Sequence, residues 1–208
     1  MEIILVRHGE TQWNAGEIFR GRADIDLNDN GRKQATLVGE FLSHTKISGI
    51  YSSPLKRAFE TAGAIARYHS LDARVAPGLV DMNFGQWEGL PLDEVKQKFP
   101  GVFATWADRP DQAKIPGGET LADVRQRALK AVDAIFAAGD GTFVLVSHRV
   151  VIKTLILAFL RLDDSHFWSI LVDPSSVTTF THDGKRYVLR HHNETSFLSE
   201  TAAHRGDF

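Results

Sequence analysis

The chain has no cysteine in its 208 residues, which excludes disulfides, thiolate metal sites and a cysteine nucleophile, and leaves the redox compartment open. No run approaches the roughly twenty apolar residues that span a bilayer. The N-terminus enters an apolar stretch at once, without the basic region and cleavage site of a secretory signal, so no membrane partner and a cytoplasmic location are the expectation. An excess of either charge sign is missing too: 24 Lys+Arg against 26 Asp+Glu give a formal net charge of -2. That balance exerts no global pull on nucleic acid or anionic lipid, and no basic stripe marks a nucleic-acid binder. H-E-x-x-H and aspartate-rich loops are absent, so no metal site is expected. Internal repeats, heptads and low-complexity tracts are absent as well.

What remains is an ordinary globular composition, 43% hydrophobic and 24% charged, in a chain of a length that suits one α/β domain over residues 1–208. Strand and helix patterns alternate. Strands are expected at 2–7, 48–52, 73–76, 142–147, 177–182 and 186–191, and helices at 29–43, 54–68, 92–98, 101–107, 120–138 and 149–160. The order predicts a three-layer α/β/α sandwich, its sheet mostly parallel with a closing C-terminal antiparallel hairpin turning at Asp183-Gly184. Asn28 is a cap for the first helix, Ser53-Pro54 supplies a cap and first-turn proline for the second, and Thr120 with Asp123 opens the longest. Residues 85–118 are dense in Gly, Pro and aromatics and predict a lid-like insertion over the sheet.

The chemistry concentrates at the end of the first strand, where E-I-I-L-V gives way to Arg7-His8-Gly9. Open α/β sheets collect ligands at such strand ends. A histidine fixed there can be base, metal ligand or nucleophile, and the adjacent arginine favours an encounter with an anion. Gly9 is read as the point where the backbone turns and approaches a ligand. His148 repeats this setting at the end of the apolar run Phe143 to Val146, so two histidines can meet across one crevice.

Five blocks extend the pattern: L-V-R-H-G-E-T-Q-W-N at 5–14, R-G-R-A-D-I-D-L-N-D-N-G at 20–31, Y-S-S-P-L-K-R-A-F-E-T-A at 51–62, D-M-N-F-G-Q-W-E-G at 81–89 and L-V-S-H-R-V-V-I at 145–152, with P-G-G-E-T at 116–120 between them. Together they resemble the histidine phosphatase superfamily, in the branch of the cofactor-dependent phosphoglycerate mutases and their short phosphatase relatives. The resemblance implies a phosphoglycerate mutase-like fold and a set of roles. His8 would be the nucleophile, forming a phosphohistidine while its other ring nitrogen is held by a backbone carbonyl. Arg7 and Arg57 would bind the phosphate, since the guanidinium fork suits phosphate oxygens, and His148 would stabilise phosphoryl charge.

Asp81 stands where the family's proton donor, commonly glutamate, is found. Its side chain is shorter by one C–C bond, about 1.5 Å, and Glu10 or Glu88 would be the substitutes to consider. Asn14, Thr11 and the backbone near Gly21 match positions around the phosphate pocket. Arg20 is an extra cation that could meet a carboxylate or second phosphate of the substrate, and Arg149 replaces the glycine common after the second histidine. The function implied is a metal-independent phosphomonoesterase that acts on a small-molecule phosphate ester without a cofactor. A cofactor-dependent mutase is the alternative, disfavoured by the short 85–118 segment, and an impaired phospho-ligand binder is the second. The hairpin edge and the Trp168 region are candidates for a homodimer contact.

Overall fold

The apolar run that opens the chain forms strand β1 (Glu2–Arg7), buried along almost its whole length inside a six-stranded sheet. The computed structural model, which describes residues 1–198, adds β2 (Gly49–Ser52), β3 (Ala73–Val75), β4 (Thr142–Ser147), β5 (Val177–His182) and β6 (Tyr187–Glu194), in the order β3-β2-β4-β1-β5-β6. β3, β2, β4 and β1 run parallel, and β5 and β6 close the sheet antiparallel. The expected α/β fold is therefore the observed one, while residues 199–208 of the expected domain lie outside the described residues.

Seven α-helices occur among the described residues: α1 (Gln12–Ala15), α2 (Asp29–Leu42), α3 (Lys56–Ala66), α4 (Leu92–Lys98), α5 (Pro100–Asp108), α6 (Leu121–Ala137) and α7 (Arg149–Phe159). Because successive strand residues point to opposite faces, Ile3, Leu5, Phe143 and Leu145 enter the core shared with α6 and α7. Ile4, Val6, Val144 and Val146 pack with α2 and α3 on the other side. A parallel sheet buried on both faces needs this continuous apolar sequence.

Two of the expected caps form: the Asn28 side chain accepts the Gly31 N–H at 2.7 Å, and Thr120 with Asp123 makes a capping box. The third does not. α3 begins at Lys56 with Leu55 in the cap position, so Pro54 lies before the helix, and the Ser53 hydroxyl is drawn instead onto His148. The hairpin turn spans four residues, with Asp183 Oδ1 accepting the N–H groups of Lys185 and Arg186, and β6 continues past the expected end to Glu194. α1 was not anticipated. Trp168, expected near a dimer contact, donates its indole N–H to the Trp106 carbonyl of the same chain at 2.8 Å.

Residues 85–118 fold as α4 and α5 flanked by two 3₁₀ turns, anchored by the buried Trp87 and Trp106. This insertion carries a strip of the N-terminal segment. The Phe19 N–H bonds to the Leu90 carbonyl at 3.1 Å and the Gly89 N–H to the Phe19 carbonyl at 2.8 Å, which holds residues 17–21 where they wall the pocket containing His8.

Gly9 is required by packing: a Cβ built there would stand 2.4 Å from the Gly31 carbonyl oxygen, and one on Gly31 2.0 Å from the Glu10 carbonyl oxygen. The turn that carries His8 thus lies directly against the first turn of α2. Gly→Ala inside a helix ordinarily stabilises by about 1 kcal/mol, but overpacking against backbone, which no rotamer change relieves, costs about 1–3 kcal/mol. Gly31→Ala is therefore expected to lower the thermal unfolding midpoint, and a raised midpoint would contradict this packing.

Candidate active site

The sheet register assembles the site. Arg7 pairs with Ser147 across β1 and β4, so the next residues, His8 and His148, leave neighbouring strand ends side by side, with ring centroids 5.1 Å apart and planes inclined by 59°. Strand spacing of about 4.8 Å accounts for that separation. On the far side of β4, Ser52 pairs with Val146, which brings the following residue, Ser53, onto His148 with Oγ 2.7 Å from Nε2.

His8 Nδ1 lies 2.7 Å from the Gly9 carbonyl oxygen. A carbonyl can only accept, so Nδ1 carries the hydrogen and the lone pair sits on Nε2. The ring is 1% exposed, yet it forms the floor of a pocket walled by Phe19, Arg20, Gly21, Asp81, Phe84 and Arg149. It is reached through that pocket and is not sealed in the core.

Arg57, in the first turn of α3, is fully buried. Its Nη1 donates to the Ala23 carbonyl at 2.7 Å, and its Nη2 to the Gly21 carbonyl at 2.9 Å and Asp81 Oδ2 at 3.1 Å. Arg7 is anchored through Nη1 to the Val172 carbonyl at 2.8 Å. Asp81 Oδ2 also stands 3.5 Å from His148 Nδ1, so the structure brings His8, His148, Arg57 and Asp81 together. The Asp81 backbone is fixed from behind: Arg127 donates to the carbonyls of Gly78, Val80 and Asp81, and Glu119 grips the Arg127 guanidinium at Nε and Nη2.

The same cluster sets the charge of the rings. Burial, then the positive charges of Arg57, Arg7 and Arg20, hold the His8 pKa well below the usual histidine value, against a smaller opposing pull from the Gly9 carbonyl. His148 is lowered likewise, by burial first and then by Arg57, His8, Arg20 and Arg127. Burial also pulls Arg57 down, opposed by Asp81. Both rings are therefore neutral at pH 7, and the arginines remain charged.

Arg20, Gly21 and Arg149 line the pocket, with the Arg149 guanidinium 5.8 Å from the Trp168 ring centre. Gly21 has φ +51, and a Cβ there would stand 2.0 Å from Glu88 Oε1. Thr11 and Asn14 instead close the first turn of α1: Asn14 Oδ1 accepts from the Thr11 N–H and hydroxyl, both at 2.8 Å. Like Arg7, Arg57 and His148, neither is among the residues that line the pocket. Of the substitute acids, Glu10 is engaged by the amides of Asn28 and Asn30, and Glu88 accepts the N–H groups of Arg22 and Phe84. Neither lines the pocket.

Ser53 as a histidine partner, the Arg127–Glu119 brace and the 17–19 part of the wall are not expected from the sequence. The signals available were Ser53 and Glu119 inside quoted blocks; Arg127 offered none. Among the described residues no group of three His, Asp or Glu side chains is arranged to hold a metal ion, and no helix is long and apolar enough to cross a membrane.

Depressed histidine pKa values carry a stability consequence. Below the unfolded value of 6.5 the unfolded chain binds protons on His8 and His148 that the folded protein refuses. Native stability contributed by these neutral rings is thus complete above pH 6.5 and is lost as pH falls toward the folded values, by up to about 1.4 kcal/mol per pH unit for each ring. Denaturant unfolding at about pH 8 and about pH 5.5 is expected to show a smaller acid loss in His8→Asn than in the unsubstituted protein. Equal losses would contradict a buried neutral His8.

Comparison with known proteins agrees with this geometry. The family model of the histidine phosphatase superfamily (branch 1) matches residues 3–195. Phosphoserine phosphatase 1 of Hydrogenobacter thermophilus is 35% identical over 201 residues, covering 96% of this chain and 95% of that protein. The solved structure of Bacillus stearothermophilus YhfR superposes with a TM-score of 0.91 at 33% identity, covering 95% of this chain and 98% of the other. Phosphoserine phosphatase from Entamoeba histolytica, solved in complex with 3-phosphoglyceric acid, gives 0.85 at 31% identity with 95% and 98% covered. With its blocks, its sheet order and its paired strand-end histidines all accounted for, the chain belongs to the histidine phosphatase superfamily.

Proposed function

We propose that the pocket hydrolyses small phosphate monoesters of the cytoplasm through a phosphohistidine on His8, without a metal or cofactor. The observation that carries this reading is a neutral imidazole, pinned at Nδ1 by the Gly9 carbonyl, on a pocket lined by Arg20 and Arg149, with the charges of the buried Arg7 and Arg57 acting on the ring. A phosphate monoester brings nearly two negative charges and needs an in-line attacker, cations about its equatorial oxygens and an acid for the leaving oxygen. Nε2 of His8 attacks phosphorus as the ester P–O bond breaks. Arg7, Arg57 and His148 receive the charge of the equatorial oxygens.

Asp81 is the proton donor in this scheme. Its carboxyl, bonded to Arg57 and standing at the pocket wall, passes a proton to the leaving alkoxide. Water then attacks the phosphohistidine, Asp81 takes the water proton, the P–N bond breaks and Nε2 recovers its lone pair. The shorter acid is served by a backbone that Arg127 grips at three carbonyls. Thr11 and Asn14 act by bracing the loop after His8, and Gly21 acts through its carbonyl on Arg57. The 85–118 insertion serves as the frame of a lid whose inner surface is the 17–21 strip.

Hydrolysis is favoured over transfer to a second acceptor because the four cations of the insertion stay outside the pocket: Lys96 pairs with Asp93, Lys98 with Glu94 and Arg109 with Asp111, and Lys114 is the fourth. None of them lines the pocket. Arg20 and Arg149, in contrast, add positive charge beyond the phosphate cage, which suits a substrate with a second anionic group. The name of the Hydrogenobacter relative and the Entamoeba complex with 3-phosphoglyceric acid support a small carboxylated phosphate ester. A homodimer contact is assigned to the β6 edge, where Val188 is exposed.

One assay tests the whole reading: hydrolysis of p-nitrophenyl phosphate and of phosphoserine with EDTA present. Both are expected to turn over. His8→Ala should lose about three orders of magnitude or more on each, and Arg149→Ala should lose roughly tenfold on phosphoserine alone, the worth of one charge-assisted hydrogen bond. Dependence on added metal, activity surviving His8→Ala, or phosphoglycerate interconversion without phosphate release would each contradict the proposal.

A further inference from the structure

The scheme above leaves one buried hydroxyl beside the reacting groups unused. Ser53 is completely buried, and among the described residues its Oγ has two hydrogen-bond partners, the Leu55 N–H at 3.3 Å and His148 Nε2 at 2.7 Å. A serine hydroxyl has one hydrogen to give and two lone pairs to offer. The Leu55 N–H is a donor and can only occupy a lone pair, so the acceptor available to the hydroxyl hydrogen is Nε2 of His148.

The other end of the ring gives the same answer independently. Nδ1 of His148 faces Asp81 Oδ2 at 3.5 Å. A lone pair on Nδ1 would set two electron-rich atoms against each other, whereas an N–H there meets the carboxylate favourably. Burial and the surrounding cations keep this ring neutral, so one ring nitrogen carries the hydrogen and the environment decides which.

We infer that Ser53 is a positioning residue that fixes His148 as its Nδ1–H tautomer, donating its hydroxyl hydrogen to Nε2 so that the ring N–H points toward Asp81. The inference rests on the reading in which His148 supports the phosphoryl group, and it explains how two neighbouring histidines hold different offices. His8 is pinned at Nδ1 by a carbonyl and offers a lone pair from Nε2. His148 is pinned at Nε2 by a hydroxyl and offers a hydrogen from Nδ1. Without the hydroxyl, Nε2 would be free to carry the hydrogen, and the ring would turn a lone pair toward the Asp81 carboxylate.

The test begins with the unsubstituted, ligand-free protein. Two-bond proton–nitrogen correlation spectra of histidine-labelled protein near neutral pH are expected to show His148 with a protonated Nδ1 and an unprotonated Nε2. Ser53→Ala is expected to populate the opposite tautomer and to lower kcat for p-nitrophenyl phosphate roughly tenfold with little change in KM, since the phosphate-binding arginines are untouched. Ser53→Thr, which keeps the hydroxyl, should restore both. An Nε2–H tautomer in the unsubstituted protein, or a Ser53→Ala protein with unaltered tautomer and kcat, would overturn the inference. The first spectrum needs neither the variant nor turnover, so it decides even if Ser53→Ala fails to fold, and an inactive protein would count against the phosphatase reading alone.

Discussion

The structure depends on holding an uncharged imidazole inside a cluster of buried positive charge. Arg7 and Arg57 are essentially inaccessible to water, and both, together with Arg20, oppose protonation of His8. Buried charges carry a desolvation penalty of several kcal/mol each unless paired, and Asp81 is bonded to Arg57 within this cluster. The same repulsion that keeps His8 unprotonated keeps its lone pair available. A chain with a net charge of -2 achieves this by local concentration, which confines the attraction to the pocket.

The fold supplies the concentration at little cost in sequence. Two parallel strands in register deliver two histidines to one crevice, a third delivers Ser53, and the helix after that strand turns Arg57 back toward the same point. His8, Arg7 and Arg57 are fixed by hydrogen bonds to backbone carbonyls: Gly9 for His8, Val172 for Arg7, Ala23 and Gly21 for Arg57. Carbonyls orient donors without adding a competing formal charge. Preorganisation of this kind lets polar groups stabilise developing charge without rearranging when it appears.

The readable parts of the sequence were those with local causes. Strand β1 and its neighbours follow from apolar runs buried on both faces, α2 and α6 from their caps, and His8 and His148 from their places at strand ends. The failures share a different cause. Ser53 was read as a helix cap because a serine before a proline usually is one, but its hydroxyl was claimed by a histidine 95 residues away. The packing role of Gly9 is hidden because sequence cannot reveal that the α2 backbone lies against it. The 17–21 wall depends on backbone bonds to residues 89–92. Strand register and long-range pairing decide these positions, and neither leaves a periodicity.

The account reduces to whether phosphorus becomes bonded to the Nε2 of His8. Rapid quenching of the protein at steady state with a radiolabelled phosphate ester, followed by peptide mapping, measures this directly. The account predicts an acid-labile, alkali-stable phosphoryl group on the peptide containing His8, absent from His8→Ala. Turnover without a phosphorylated intermediate, or label residing on His148, would contradict it.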